Sequence, residues 1–100
     1  MVTWTAHAKA QLRHIHDYIA QDSPLYAMRV SEALVQKTSG PDALPRLGRV
    51  VPELNDDTVR ELSLYSYRIL YQIKNDNLIE VLAVIHKRRD LHAGEVPRGA

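Results

Sequence analysis

The residues of this 100-residue chain whose types could do chemistry lie mainly in its second half. Glu53 and His86 are candidate acid–base groups, since histidine titrates near neutrality and an ionised carboxylate accepts protons. Arg68 and Arg89 could stabilise the negative charge of a phosphate. Cleavage of RNA without a metal uses the 2′-hydroxyl of the RNA as nucleophile, and the protein then supplies an acid, a base and positive charge. These four residues therefore form a candidate catalytic set.

A basic run offers a second interpretation, in which the chain binds a target and does not react with it. Lys87, Arg88 and Arg89 directly follow the last predicted strand, and Arg60 and Arg68 precede it. The formal net charge is only +1, so the overall charge does not indicate a nucleic-acid partner. These five residues form either a target-binding surface or a solvated basic edge.

Both interpretations compete with structural roles for the same side chains. Arg68 could pair with Glu80 on the same sheet face, and Glu53 could pair with Arg60. The chain has five histidines, but no His-x-x-x-His pair on a helix and no acidic ligand cluster accompanies them. Cysteine is absent, which removes thiolate ligands and disulfides. The sequence therefore predicts neither a metal site nor a bound cofactor.

A predicted β-hairpin must position these groups. Residues 67–73 alternate in polarity, Asn75-Asp76-Asn77 favours a turn, and residues 78–86 form an apolar run typical of a central strand. A hairpin centred on Asp76 places Arg68 opposite Val84 and brings Arg68 and His86 to one face. That face would also carry Leu70, Gln72, Glu80, Leu82 and Val84. The other face would be free of charge and would receive helices: Tyr67, Ile69, Tyr71, Ile73, Ile79, Val81, Ala83 and Ile85.

Two helices and a long connection precede the hairpin. Val2 and Trp4 predict a short first strand, and apolar spacing with Thr5 as N-cap predicts a helix over 5–22. Ser23-Pro24 predicts the start of a second helix, which ends near residue 39. Residues 40–57 contain three prolines, so we expect an irregular connection there. Four apolar residues would pin it to the core: Leu44, Leu47, Val50 and Val51.

The expected fold is α+β, with a short N-terminal strand and an antiparallel helical hairpin packed on one face of a small antiparallel sheet. Residues 1–93 would form one domain and residues 94–100 a flexible tail. No apolar run approaches the length of a membrane span, and the N-terminus lacks a signal-peptide pattern. The sequence therefore predicts a cytoplasmic protein.

Short blocks of the sequence also occur in an ordered series that resembles a known family. The blocks are Trp4, YIAQDSP (18–24), GRVVPE (48–53), VREL (59–62), YRILY (67–71) and VIHKRRD (84–90). In this order and spacing they resemble the RelE/ParE superfamily of bacterial type II toxins, over roughly residues 2–90. One departure is Gly40-Pro41-Asp42-Ala43, where relatives usually have an apolar turn before Pro-x-x-Gly-Arg.

The resemblance implies a toxin that forms a hetero-oligomer with a cognate antitoxin protein, whose chain wraps and neutralises it. ParE-like members inhibit DNA gyrase by binding and need no catalytic residues, whereas RelE-like members cut messenger RNA on the ribosome. RelE-like nucleases often place a catalytic aromatic or basic group just after the last strand. Lys87-Arg88-Arg89-Asp90-Leu91 contains no tyrosine, which favours gyrase inhibition. A third alternative is a non-toxic antitoxin-binding or autoregulatory component, which would contact operator DNA only through the antitoxin.

Overall fold

The computed structural model describes residues 1–75, 77–89, 91 and 96–97 of the chain. Its elements in chain order are β1 (Val2–Trp4), α1 (Ala6–Ala20), α2 (Pro24–Lys37), α3 (Ser39–Ala43), β2 (Arg49–Val50), β3 (Val59–Leu64), β4 (Tyr67–Asn75) and β5 (Leu78–His86). The predicted α+β class is confirmed, with the helical hairpin on one face of the sheet. The turn residue Asp76 lies outside the described residues, as does the predicted tail 94–100 apart from Val96 and Pro97.

The two long helices begin at the caps that the sequence predicts. Thr5 Oγ1 accepts a hydrogen bond from the N–H of Ala8 at 3.0 Å, and Ser23 Oγ accepts one from the N–H of Tyr26 at 3.1 Å. Pro24 occupies the first helical position, where no N–H partner is needed. Each helix buries one apolar stripe against the sheet. The buried stripe residues are Ala8, Ile15, Ala27, Val30 and Leu34.

Part of the connection predicted to be irregular is ordered. Helix α2 ends at Lys37, and the short helix α3 follows it almost directly. Pro41 is tolerated in α3 because it lies in the first turn, where backbone N–H groups have no partner inside the helix. The two-residue strand β2 then pairs with β3. In the part of the chain that the structure describes, no helix has the length and apolar character needed to cross a bilayer.

The sheet is mixed, whereas the sequence predicted an antiparallel one. The strand order is β1-β5-β4-β3-β2, and β1 pairs in parallel with β5 through Val2 opposite Ile79. The other neighbouring pairs are antiparallel. Parallel pairing is possible because the chain between β1 and the hairpin is long enough to cross over the sheet. The helical hairpin is part of that crossover.

A β-bulge in β5 makes part of the predicted register wrong. Tyr71 lies opposite Val81, as a hairpin centred on Asp76 requires, but Leu70 lies opposite Ala83. Leu82 is therefore an extra residue on β5, and every later pairing moves by one position. Arg68 consequently lies opposite Ile85, not Val84.

This shift exchanges the faces of the last four residues of β5. Val84 packs in the cluster under the helices, although the sequence placed it on the other face. Ala83 and Ile85 pack with Leu82 on the face away from the helices, although the sequence placed them under the helices. His86 pairs with Tyr67 and therefore lies on the helix face. Because of this one extra residue, His86 and Arg68 lie on opposite faces of the sheet.

Both faces of the sheet are covered by apolar side chains. The helix-side cluster comprises Ala8, Ile15, Val30, Leu34, Leu62, Ile69, Tyr71, Ile79, Val81 and Val84. The opposite cluster comprises Val51, Leu54, Val59, Leu70, Leu82, Ala83, Ile85, Leu91 and Val96. Val51 anchors the connection as expected, but Leu44 and Leu47 are 63% and 54% exposed and do not. Leu54 supplies the second anchor.

Tyr71 clamps the connection to the sheet at the point where β2 begins. Its hydroxyl donates a hydrogen bond to the carbonyl of Pro45 at 2.7 Å and accepts one from the N–H of Gly48 at 2.8 Å. A Cβ at Gly48 would lie 2.6 Å from the carbonyl oxygen of Glu61, so only glycine fits there. Burial raises the pKa of Tyr71, which keeps the hydroxyl protonated. The clamp fixes the segment that carries Arg49.

Candidate functional site

Arg68 lies at the centre of a cluster of four charged side chains on the face away from the helices. Its Nη1 and Nη2 donate to the two carboxylate oxygens of Glu53 at 2.8 and 2.9 Å. Its Nε donates to Oε2 of Glu61 at 2.8 Å, and Nη2 contacts the same oxygen. The other oxygen of Glu61 accepts a hydrogen bond from Nε of Arg49 at 2.5 Å. We refer to these four residues as the ion cluster.

Sheet pairing and the clamped connection together assemble the ion cluster. Arg49 of β2 pairs with Glu61 of β3. Arg68 of β4 pairs with Ser63, two residues further along β3, so its long side chain reaches Glu61 diagonally. Glu53 comes from the connection after β2, between two buried apolar residues. The ion cluster therefore links three strands and one loop, with the guanidinium group of Arg68 at its centre.

The ion cluster has a buried centre and an exposed rim, and its formal charges balance. The side chains of Glu61 and Arg68 are 1% and 10% exposed, whereas those of Glu53 and Arg49 are 34% and 71% exposed. Its two arginines neutralise its two carboxylates. The hydrogen bonds from Arg68 hold the pKa of Glu53 below its usual range, and those from Glu53 and Glu61 raise the pKa of Arg68. Glu53 is consequently a weak base, and the charge of Arg68 is already compensated.

The two ion pairs considered as structural alternatives in the sequence are wrong. Arg68 does not reach Glu80, whose carboxylate lies 3.8 Å from Nζ of Lys74. Arg60 pairs with Asp57 at 2.9 Å and also donates to the carbonyl of Gly48. The partner that the sequence analysis missed is Glu61. The available signal was a carboxylate in the middle of a predicted strand, because a charge that is buried there requires a partner.

His86 lies on the opposite face of the sheet from the ion cluster. Its ring packs edge-on against Tyr67, with centroids 5.7 Å apart and planes at 79°. Its Nδ1 accepts a hydrogen bond from the N–H of Arg88 at 3.1 Å. The candidate catalytic set therefore divides into Glu53 and Arg68 on one face and His86 on the other. Arg89 lines the same depression as His86.

The basic run spreads around the end of β5. Lys87 borders a depression of about 380 Å³ beside the ion cluster, and its N–H donates to the carbonyl of Ser66. Arg89 lines the depression that contains His86 on the helix side of the sheet. Arg88, between Lys87 and Arg89 in the sequence, is exposed. Arg60 and Arg68 are engaged in ion pairs within the protein. The exposed part of the predicted binding surface is thus the run of three residues after β5.

A second surface depression lies on the helix side, between α1, α2 and the ends of β4 and β5. It consists of two adjoining cavities of about 500 and 390 Å³ that share His14, Ile15, Tyr67 and His86. We call it the tyrosine groove, because four tyrosines line it: Tyr18, Tyr26, Tyr65 and Tyr67. Burial and the nearby Tyr26 and Tyr18 raise the pKa of Tyr67. Among the described residues, no group of His, Asp and Glu side chains is arranged to hold a metal ion.

Comparison with known proteins identifies the family to which this architecture belongs. The sequence profile of a family described as the ParE toxin of type II toxin-antitoxin system, parDE, matches residues 2–91. The chain belongs to the ParE toxin family. It is also 32% identical over 88 residues to Toxin RelE2 of Caulobacter vibrioides, a match that covers 88% of this chain and 96% of that protein.

A solved structure supports the fold of this ParE-family toxin. The chain resembles a chain of the chromosomal ParDE TA system from P. aeruginosa with a TM-score of 0.70 and 23% sequence identity. The match covers 85% of this chain and 92% of that chain. The predicted membership of the RelE/ParE superfamily is confirmed. A toxin of a type II system has a cognate antitoxin as its partner.

The effect of removing the Glu53 carboxylate from this ParE-family toxin is expected to depend on pH. Arg68 lowers the pKa of Glu53, so the stability that this pair contributes is present above the ordinary value of 4.5 and is lost as the pH falls through the lowered value. The difference in unfolding free energy between wild type and Glu53→Gln should therefore shrink between about pH 6 and about pH 3, as measured by urea titration.

Glu32→Gln on the exposed side of α2 provides the control for this pH dependence. That variant should differ little from wild type throughout the range, because Glu32 is an exposed side chain away from the ion cluster. A Glu53→Gln difference that stayed constant with pH would contradict the pairing of Glu53 with Arg68.

Proposed function

We propose that this ParE-family toxin inhibits DNA gyrase by binding and acts in the cytoplasm, without bond-breaking chemistry of its own. The observation that carries the proposal is the separation of His86 from Glu53 and Arg68 by the sheet. Acid–base cleavage of RNA needs an acid, a base and positive charge around one phosphate. Groups on opposite faces of a sheet cannot surround one phosphate while the sheet is intact.

The state of the ion cluster also supports binding over catalysis. Arg68 donates to both Glu53 and Glu61, so a phosphate would have to displace carboxylates to reach it. Glu53 has a lowered pKa, which makes it a poor proton acceptor. The cluster is suited to hold β2, β3, β4 and the connection together. A structural role for Arg68 and Glu53 follows directly from these contacts.

The surface proposed to contact gyrase is the exposed basic run after β5. Lys87, Arg88 and Arg89 are exposed side chains at the end of the last described strand. Three hydrogen bonds order their backbone: the N–H of Lys87 donates to the carbonyl of Ser66, that of Arg88 to Nδ1 of His86, and that of Arg89 to the carbonyl of His86. Arginine is among the residues that most often dominate binding energy at protein interfaces. The run is therefore a pre-positioned cationic contact surface.

The test is purified protein in a gyrase supercoiling assay and, in parallel, on ribosomes programmed with messenger RNA. Inhibition of supercoiling should survive His86→Ala. It should fall about 100-fold when Lys87, Arg88 and Arg89 are all replaced by alanine, if each contributes about 1 kcal/mol. A matched triple variant removes the exposed helix cations Lys9, Arg13 and Arg29 and should inhibit like wild type.

RNA cleavage is the second candidate, and two observations favour it. The relative from Caulobacter vibrioides bears the name Toxin RelE2, and the Glu53–Arg68 pair borders a surface depression that also contains Lys87. A nuclease that used His86 as acid or base would lose about 100- to 10,000-fold of its rate in His86→Ala. Codon-phased cuts that His86→Ala abolishes, with supercoiling unaffected, would overturn gyrase inhibition. Inactivity in both assays would indicate the non-toxic antitoxin-binding alternative.

A further inference from the structure

Helix α2 carries a second apolar stripe on its outer side. Leu25, Met28 and Val35 are 55%, 46% and 44% exposed, although the same helix already buries a separate apolar stripe. A helix that packs on a sheet needs only one such stripe, and a row of exposed large apolar residues marks a contact surface. Together with the exposed Glu32, these residues form one row along the helix, which we call the outer α2 face.

The outer α2 face has the spacing of the contact positions in a coiled coil. Its residues follow one another at intervals of three, four and three positions, and such a row packs against a similar row of a partner helix. The row is also symmetric on reversal, because positions 25 and 35 and positions 28 and 32 lie at equal distances from Val30. If two copies lie antiparallel, Leu25 contacts Val35 of the second copy and Met28 contacts Glu32 of the second copy.

The charges on this face favour a second copy in the antiparallel orientation. Arg29 lies beside the row, and among the described residues neither Arg29 nor Glu32 has an ion-pair partner. In the antiparallel pair, Arg29 lies only about 1.5 Å along the helix axis from Glu32 of the second copy. Symmetry repeats this contact, so two arginines and two glutamates balance at the centre. A parallel pair would instead place Glu32 against Glu32, which repel each other.

We propose that the outer α2 face binds the same face of a second copy of this chain, in a two-fold symmetric dimer with antiparallel α2 helices. The two helices of 14 residues bury less area than the roughly 1,200 Å² of a stable interface. We therefore expect weak association, with a dissociation constant on the order of 10–100 µM and a monomer in dilute solution. Leu25, Met28 and Val35 line neither cavity of the tyrosine groove, so the dimer contact is a separate surface.

An exchange of charges tests the centre of the interface. Arg29→Glu gathers four negative charges there and should weaken dimerisation by about tenfold or more. Adding Glu32→Arg to this variant restores the balance of charges and should return the dissociation constant to within about threefold of wild type. Arg13→Glu makes the same change of charge on an exposed position of α1 and should dimerise like wild type. Sedimentation velocity from about 1 to about 300 µM measures the dissociation constants, and circular dichroism checks folding.

A pair of leucines tests the apolar contacts. Leu25→Ser removes an apolar side chain from the outer α2 face, whereas Leu44→Ser removes one that is 63% exposed and lies outside α2. Only Leu25→Ser should weaken dimerisation. The reverse result would place the contact between copies at the connection before β2 and would overturn the proposal.

Disulfide cross-linking tests the orientation, because the chain has no cysteine of its own. A mixture of Leu25→Cys chains and Val35→Cys chains should form a mixed disulfide under mild oxidation. Leu25→Cys chains alone should not cross-link, because the two copies of residue 25 lie about 15 Å apart along the helix axis and a disulfide spans at most about 7 Å between Cα atoms. Cross-linking of Leu25→Cys chains with one another would indicate parallel helices and contradict the proposal.

Three further results would also overturn the dimer. The chain could remain monomeric at about 300 µM, well above the expected dissociation constant. Dimerisation could persist unchanged in Arg29→Glu and Leu25→Ser, which would place the contact on another surface. A monomeric chain whose binding to the antitoxin is weakened by Arg29→Glu and not by Arg13→Glu would assign the outer α2 face to the antitoxin. None of these results bears on the choice between gyrase and messenger RNA.

Discussion

Replacing Arg68 by methionine is expected to destabilise the protein by about 3 kcal/mol. The change leaves the carboxylate of Glu61, which is 1% exposed, with only the largely exposed Arg49 as its partner. Removing one member of a buried ion pair is strongly destabilising because the remaining charge stays buried without compensation. The free energy of unfolding is measured by urea titration at neutral pH, with unchanged slope as the check on two-state behaviour.

Two matched variants separate this effect from a general loss of packing. The double variant Arg68→Met with Glu61→Leu removes both buried charges and should recover most of the lost stability. Arg46→Met removes an arginine whose ion pair with Asp57 is exposed, and it should change stability much less. If Arg68→Met were no more damaging than Arg46→Met, the ion cluster would contribute little to the fold, and a mainly structural role for Arg68 would be contradicted.

Replacing Ile69 by alanine is expected to cost about 2–5 kcal/mol. Ile69 is fully buried on the helix face of β4, and the smaller side chain would leave a cavity between the sheet and the helices. Thermal and urea denaturation both report the change. Val35→Ala on α2 is the control, because Val35 is 44% exposed and should be affected only slightly. A small effect at Ile69 would mean that the helical hairpin does not pack on this face.

The parts of the fold that depend on local chemistry were predictable from the sequence. Thr5 and Ser23 cap their helices through hydrogen bonds to residues three positions ahead, so the signal lies within a few residues. The alternation along β4 likewise reflects the two faces of a single strand. The register of the middle of the hairpin follows from the position of Asp76, since Tyr71 lies opposite Val81 and Ile73 opposite Ile79 as expected. Next to the turn it is shifted, because Asn75 and not Lys74 lies opposite Leu78.

The bulge and the ion cluster depend on contacts that the local pattern does not contain. An apolar run such as residues 78–86 satisfies either register, because both faces of the sheet are buried. The extra residue Leu82 is stabilised by the cluster on the far face, which contains Leu91 and the anchors Val51 and Leu54. Glu61 likewise acquires its role only when β2 and β4 lie on either side of it.

Leu44 and Leu47 are the converse case, because the local pattern predicted burial for them and they lie at the surface. Their apolar character predicted burial, yet the connection is held in place by the hydroxyl of Tyr71 and by Val51. Two polar contacts to backbone atoms thereby remove the need for these leucines in the core. Hydrophobicity predicts which residues can be buried, but which of several candidates is chosen depends on the tertiary contacts of the connection.

The parallel pairing of β1 with β5 sets the order in which a nascent chain can acquire its structure. Strand β1 is synthesised first among the strands and β5 last, and β5 lies between β1 and β4 in the finished sheet. Contacts between segments so distant in sequence form late, after both segments have left the ribosome. Until then β1 has no neighbour and α1 lacks the strand on which it packs. A partly synthesised chain therefore cannot present a finished binding surface, and any partner that recognises the folded sheet can bind only after β5 has joined it.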